Sequence, residues 1–289
     1  MAKSISKAFT YIFKDSDWKY KFFLATMISI PITLSTYASM NFKNMQLFDM
    51  SKIKQLASMS SLAQMGSVPD YDDYLSAPPP PNPADVASLS SLSHVIILSI
   101  ALSIIASIAS LILVGYYCKC TQNVINSSDD KKVDVLPSWE KDFGLYSKIG
   151  ILFSYGSFIA FALPIIALVL IFLTNQGHLL TLGLPCVLWI LFIVFAFCAM
   201  CALFCTDLQP SSFLAYRKTI RLMTHNLPNY LAILGTIIGL CVLSGALFMV
   251  FGHTPVFVVL FSAIQTYFSF VFAYLLGAIF QTHPVKLFS

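Results

Sequence analysis

Apolar residues run in long blocks along this chain, and charges fall only between the blocks. Six stretches, about 22–40, 94–117, 149–174, 179–206, 230–252 and 255–282, contain no Asp, Glu, Lys or Arg. Each is long enough to cross the ~30 Å hydrocarbon core of a bilayer as a helix. The pattern predicts an all-α polytopic integral membrane protein. It forms a single membrane domain over residues 1–289, whose six transmembrane helices are arranged as three hairpins.

A shorter amphipathic segment precedes each hairpin. In the first, residues 3–21, Ile5, Phe9, Ile12 and Phe13 share a helical face, and Asp15-Ser16-Asp17 can cap a fresh helix at Trp18. The second covers residues 137–148, with Ser138 as a cap and Trp139, Phe143 and Tyr146 at i, i+4, i+7. The third covers residues 210–228. There Ser211 or Ser212 can cap, and Phe213, Tyr216, Ile220, Met223 and Leu227 make an apolar stripe beside Arg217, Lys218, Arg221 and His225. Such segments lie in the interface, apolar face down and basic face among lipid phosphates. Trp18, Trp139, Arg217, Lys218 and Arg221 are the expected interfacial anchors.

The chain has 289 residues, 57% apolar and 10% charged, with a mean hydropathy of +0.79. A soluble domain carries about 25% charged residues, so an ordinary soluble enzyme is excluded. Fourteen of the 17 Lys and Arg precede the first span, lie between spans two and three or four and five, or follow the sixth. Lys and Arg near span ends mark the cytoplasmic side, so both termini are expected in the cytoplasm of a cell whose plasma or inner membrane holds the protein. Thr36-Tyr37-Ala38 is a poor cleavage site, so the first span is expected to be retained. The net charge of +4 then reflects loops facing anionic lipid, with no nucleic-acid partner implied.

The outer insertion, about 41–92, has its own pattern. Met50, Ile53, Leu56, Met59, Leu62 and Met65 recur every third position after Asp49, which predicts helix over 49–65. Its apolar side would rest on the outer leaflet or on a partner, with Met50, Ile53, Leu56 and Met59 as contact residues. The prolines of residues 78–83 predict an extended strap.

The run Lys7-Ala8-Phe9-Thr10-Tyr11-Ile12-Phe13-Lys14-Asp15, with Trp18 and Lys21, leads into the first span. Gly115-Tyr116-Tyr117 closes the second span, Leu136-Pro137-Ser138-Trp139 follows a polar stretch, and residues 213–226 lead into Tyr230. Together these resemble the bacterial and archaeal membrane family called domain of unknown function 4013. They are also similar to the membrane portion of some bacterial glycerophosphodiester phosphodiesterases. The resemblance covers residues 5–38 and 94–283. It implies a multi-helix integral membrane protein without an assigned reaction, and the long outer insertion departs from the family pattern.

Candidate chemistry is sparse. The five histidines form no His-x-x-x-His pair, and neither a Gly-x-Ser-x-Gly elbow nor a Gly-x-x-x-x-Gly-Lys loop occurs. Cys198, Cys201 and Cys205 share a helical face but read as small packing residues, since a zinc site would need a further ligand and a polar shell. No catalytic residue, cofactor or metal is expected. Ser99, Ser103 and Ser107, and Gly235 and Gly239, are small-residue faces suited to close helix packing. Gln265 is the most isolated polar group at depth, suited to a bond to a neighbouring helix or to a substrate.

The reading that follows is a non-catalytic scaffold or accessory subunit that packs with membrane lipids and with other membrane proteins or itself. The alternative is a permease or lipid-handling protein with a path between the hairpins.

Overall fold

The computed structural model describes residues 2–44, 83–127, 136–174, 179–225, 227–251 and 255–281. Among these residues the chain is entirely helical. The α-helices are α1 (Ala2–Thr10), α2 (Trp18–Asn44), α3 (Pro83–Asn126), α4 (Trp139–Thr174), α5 (Leu179–Asp207), α6 (Tyr216–His225), α7 (Leu227–Phe251) and α8 (Pro255–Gln281). Short 3-10 turns, Tyr11–Lys14 and Pro210–Leu214, precede α2 and α6. The insertion residues Met50, Ile53, Leu56 and Met59 lie outside the described residues.

Six of these helices are long and apolar enough to cross a membrane, with spans Trp18–Ser39, Ile96–Asn126, Asp142–Leu173, Gly183–Asp207, Leu227–Val250 and Phe257–Phe280. Their outward surface is apolar: Leu98, Phe158, Leu173 and Met249 are each at least 70% exposed. Water would drive such surfaces together, whereas lipid tails match them. The fold is that of a polytopic membrane protein.

Two helices extend well before their predicted spans. α3 begins at Pro83, where proline's fixed φ suits a first helical position and its missing N–H costs nothing. Residues 139–148 continue into the third span without a break, so the second amphipathic segment is the first part of α4. Glu140 and Asp142 in its first turn complement the positive end of the helix dipole. Pro31, Pro164 and Pro185 all sit inside continuous helices.

The chain divides into two compact units, Pro31–Ala106 and the remainder, Met1–Ile30 with Ser107–Ser289. The smaller unit holds the second part of α2 and the first part of α3. There the hydroxyls of Thr36, Ser39 and Ser103 bond back to the carbonyls of Ile32, Ser35 and Ser99, which satisfies them within their own helix.

The larger unit is built around α5 and α8, each half-buried along its span, while α7 lies at the edge with only 11% of its span buried. α4 packs on α5, α7 on α8, and α8 also contacts α5 and α1. Two crossings bring backbone against backbone. A Cβ on Gly115 would lie 1.8 Å from the Tyr146 carbonyl oxygen, and one on Gly150 would lie 1.9 Å from that of Leu111. Only glycine permits α3 and α4 to meet so closely, in a geometry suited to Cα–H···O contacts.

The first amphipathic segment docks on protein. Ala8, Tyr11 and Ile12 are buried, the Tyr267 hydroxyl of α8 donates to the Phe9 carbonyl at 2.8 Å, and Phe13 is 52% exposed. The predicted stripe shifts here because Tyr11–Lys14 winds with three residues per turn, which turns Phe13 outward. In the third segment the buried residues are Phe213, Thr219, Leu222 and Met223, whereas Ile220 and Leu227 are exposed. The chain leaves the 3-10 turn at Ala215 with ψ 56° before α6 starts, so helical phase is not carried from Phe213 to Ile220.

Candidate functional site

The densest polar constellation lies at the start of α2, where the resemblance motifs converge. Asp15 ends the first 3-10 turn, and its Oδ1 accepts from the Asp17 N–H at 2.8 Å. Its Oδ2 accepts from Lys21 Nζ at 2.8 Å and from the Leu136 N–H at 3.1 Å. Lys21 Nζ also donates to the Leu136 carbonyl at 2.8 Å. The two side chains are only 5% and 13% exposed. One buried ion pair therefore grips both backbone polar groups of Leu136, 121 residues away from Asp15.

The next residues continue the clamp. Pro137 and Ser138 offer their carbonyls to the hydroxyls of Tyr116, at 3.4 Å, and Tyr146, at 2.6 Å. Trp139 stacks on Tyr116 with ring centroids 4.0 Å apart and planes 15° from parallel. Tyr146 and Phe270 meet Tyr116 edge-on. On the other side Tyr11 meets Tyr274 at 5.0 Å. Burial, with the Cys120 thiol and the Asp15 carboxylate nearby, pushes the Tyr11 phenol well above its ordinary pKa, so it stays neutral.

Two further polar features lie in the larger unit. Ser29 of α2 donates to the Thr26 and Ser262 carbonyls at 2.8 and 3.3 Å and accepts from the Thr266 hydroxyl at 3.2 Å, forming a buried seam between α2 and α8. Where α3, α5 and α8 end, a cavity of about 370 Å³ opens beside the second 3-10 turn. Its lining includes Asn126, Asp207, Gln209, Ser211 and Lys218. Leu208 sits there with φ 55° and closes α5 by donating its N–H to the Phe204 carbonyl at 2.7 Å.

The residues singled out from sequence are dispersed. Trp139, expected as an interfacial anchor, is 5% exposed in the aromatic stack. Stacking on Tyr116 holds the ring inside the protein. Trp18 is half-buried and edge-on to Phe13, while Arg217, Lys218 and Arg221 are exposed on α6. Ser103 and Ser107 are exposed and Ser99 half-buried, whereas Ala106 and Ala109 carry the buried side of α3. Among the described residues, and leaving aside the backbone of their own helix, nothing lies within 4 Å of a Cβ built on Gly235 or Gly239. Gln265 donates to the Ser244 hydroxyl at 3.3 Å, a link between α8 and α7.

Sequence reasoning read Asp15 as a helix cap and missed its pairing with Lys21. The spacing i, i+6 is not a helical neighbour distance. Both residues did lie within the quoted N-terminal motif, which was the available signal.

The fold and the polar clamp define an all-α, multi-pass membrane protein whose helices lock together through their connecting segments. The family model described as "Protein of unknown function (DUF4013)" matches residues 98–253, more than half of the chain, and the protein belongs to that family. The matched stretch contains Gly115-Tyr116-Tyr117, Leu136 to Trp139 and the segment before Tyr230, while Asp15 and Lys21 lie outside it. No curated protein and no solved structure matches the chain.

Proposed function

We propose that this protein is a non-catalytic scaffold or accessory subunit of a complex in the cell membrane, with both termini in the cytoplasm. The observation that carries this reading is how the clamp spends its polar groups. The Asp15 carboxylate and the Lys21 ammonium take their partners from each other and from the backbone of Asp17 and Leu136. A reacting site keeps such groups aimed at a substrate, whereas here they fix one segment of the chain to another. The charge distribution supports the orientation, since the basic residues flanking the clamp are those that resist translocation.

An apolar exterior suits assembly with other membrane proteins, and the methionine-rich insertion is expected to contact a partner. The test is gentle-detergent purification from the native cell, followed by mass spectrometry, for the intact chain and for a chain whose residues 45–92 are replaced by a short Gly-Ser linker. The reading expects membrane proteins recovered in fixed proportion with the intact chain and lost or depleted with the replacement. Recovery of the same proteins with both chains would remove the insertion from the interface. Recovery of none with either would overturn the scaffold role.

A further inference from the structure

The cavity at the ends of α3, α5 and α8 is not used by the clamp, and its lining carries an acidic and a basic side chain, Asp207 and Lys218. Asp207 closes α5, and its Oδ1 accepts from the Gln209 N–H at 3.1 Å and the Ser212 hydroxyl at 2.7 Å. Its other oxygen, Oδ2, carries neither bond. The C-terminal ends of three helices meet around it, at Asn126, Asp207 and Phe280, and helix C-termini favour cations. Lys218, in the first turn of α6, lines the same cavity and supplies a cation, while the Ser211 hydroxyl donates to the Gln209 side-chain carbonyl at 3.5 Å. Ile125, Leu203 and Phe280 give the cavity an apolar floor.

Three of the six spans end at this cavity, which places it at the level of lipid headgroups. Its volume of about 370 Å³ lies within the ~300–1,000 Å³ range of small-ligand sites. We propose that it binds a phosphoethanolamine group, with the phosphate on Lys218 and the ammonium on Asp207. Gln209 and Asn126 add side-chain carbonyl acceptors for ammonium N–H groups. A quaternary amine has no N–H to donate and is held by aromatic cages, whereas among the described residues of this lining Phe280 is the single aromatic one. A glycerol headgroup would leave the Asp207 carboxylate without a cation. The inference does not depend on the scaffold role, because a scaffold can carry a bound lipid.

The test is native mass spectrometry of the full chain released from micelles containing equal amounts of phosphatidylethanolamine, phosphatidylcholine and phosphatidylglycerol. Soluble O-phosphoethanolamine is titrated in a parallel arm. Selective retention of phosphatidylethanolamine assigns the ligand to the membrane, and binding of the soluble compound alone assigns it to the aqueous phase; both support the site. Lys218→Ala should reduce retention about tenfold. Asp207→Asn should remove the preference over phosphatidylglycerol. Asp207 also holds the Gln209 turn, so Lys218→Glu, at an exposed position, serves as the variant that keeps the fold. Equal retention of the three lipids, absence of binding in both arms, or unchanged selectivity in Lys218→Glu would overturn the proposal.

Discussion

Replacing Lys21 by Met tests the clamp most sharply. The substitution keeps much of the side-chain length but leaves the Asp15 carboxylate, 5% exposed, with only the Asp17 and Leu136 N–H groups as partners. It also strips the Leu136 carbonyl of its Lys21 donor. Removing one member of a buried ion pair costs about 3–5 kcal/mol, because the remaining charge is left uncompensated. Asp15→Asn should cost a similar amount, since it sets an amide against the Lys21 ammonium and the Leu136 N–H. The double variant has no stranded charge and keeps only the losses at Leu136 and Asp17, about 1–3 kcal/mol for each unpaired backbone group. Its cost should therefore fall below the sum of the singles. Reversible unfolding in mixed detergent micelles, run as a double-mutant cycle, measures this coupling. Additive singles of under about 1 kcal/mol each, the behaviour of an exposed pair, would refute the reasoning.

Other substitutions probe the packing. Gly115→Ala places a methyl 1.8 Å from a backbone oxygen and forces α3 from α4. A thermal melt should show a loss of about 3 kcal/mol, whereas Gly235→Leu and Gly239→Leu, with open space around them in one chain, should stay within about 0.5 kcal/mol in monomeric protein. Phe213→Ala removes a fully buried ring that lies 5.2 Å from Phe153 and 5.5 Å from Phe204. It should cost about 3–5 kcal/mol in the same assay, with proteolysis between α5 and α6 increased. Leu208→Asn relieves a left-handed conformation that strains a leucine by about 1–2 kcal/mol, so the variant should melt at a higher temperature than the parent protein.

The spans were legible in the sequence because hydrocarbon admits no unpaired charge, so even the absence of Lys and Asp is a signal. The amphipathic segments were legible in kind but not in phase. Phe13 and Ile220 fell on the wrong side because Phe13 lies inside a 3-10 turn, and a 3-10 turn with a break at Ala215 separates Ile220 from the helical phase of Phe213. Trp139 looked like an anchor because aromatic residues collect at interfaces. Its partner Tyr116 stands 23 residues earlier in a different helix, beyond the reach of any local pattern. The clamp was hidden for the same reason, since Leu136 contributes only backbone atoms, which a side-chain motif search cannot weigh. The cavity at the helix ends depends on three termini arriving together, a tertiary event that composition and periodicity do not encode.

Reporter fusions on the full chain test the six-span arrangement most directly. Fusions after Ser289 and within residues 118–147 should both read cytoplasmic, and one within residues 67–90 should read external. An external C-terminus would contradict the six-span arrangement, and a connection between α3 and α4 on the side opposite the N-terminus would contradict the account as well, because the Asp15 and Lys21 clamp could then not reach Leu136.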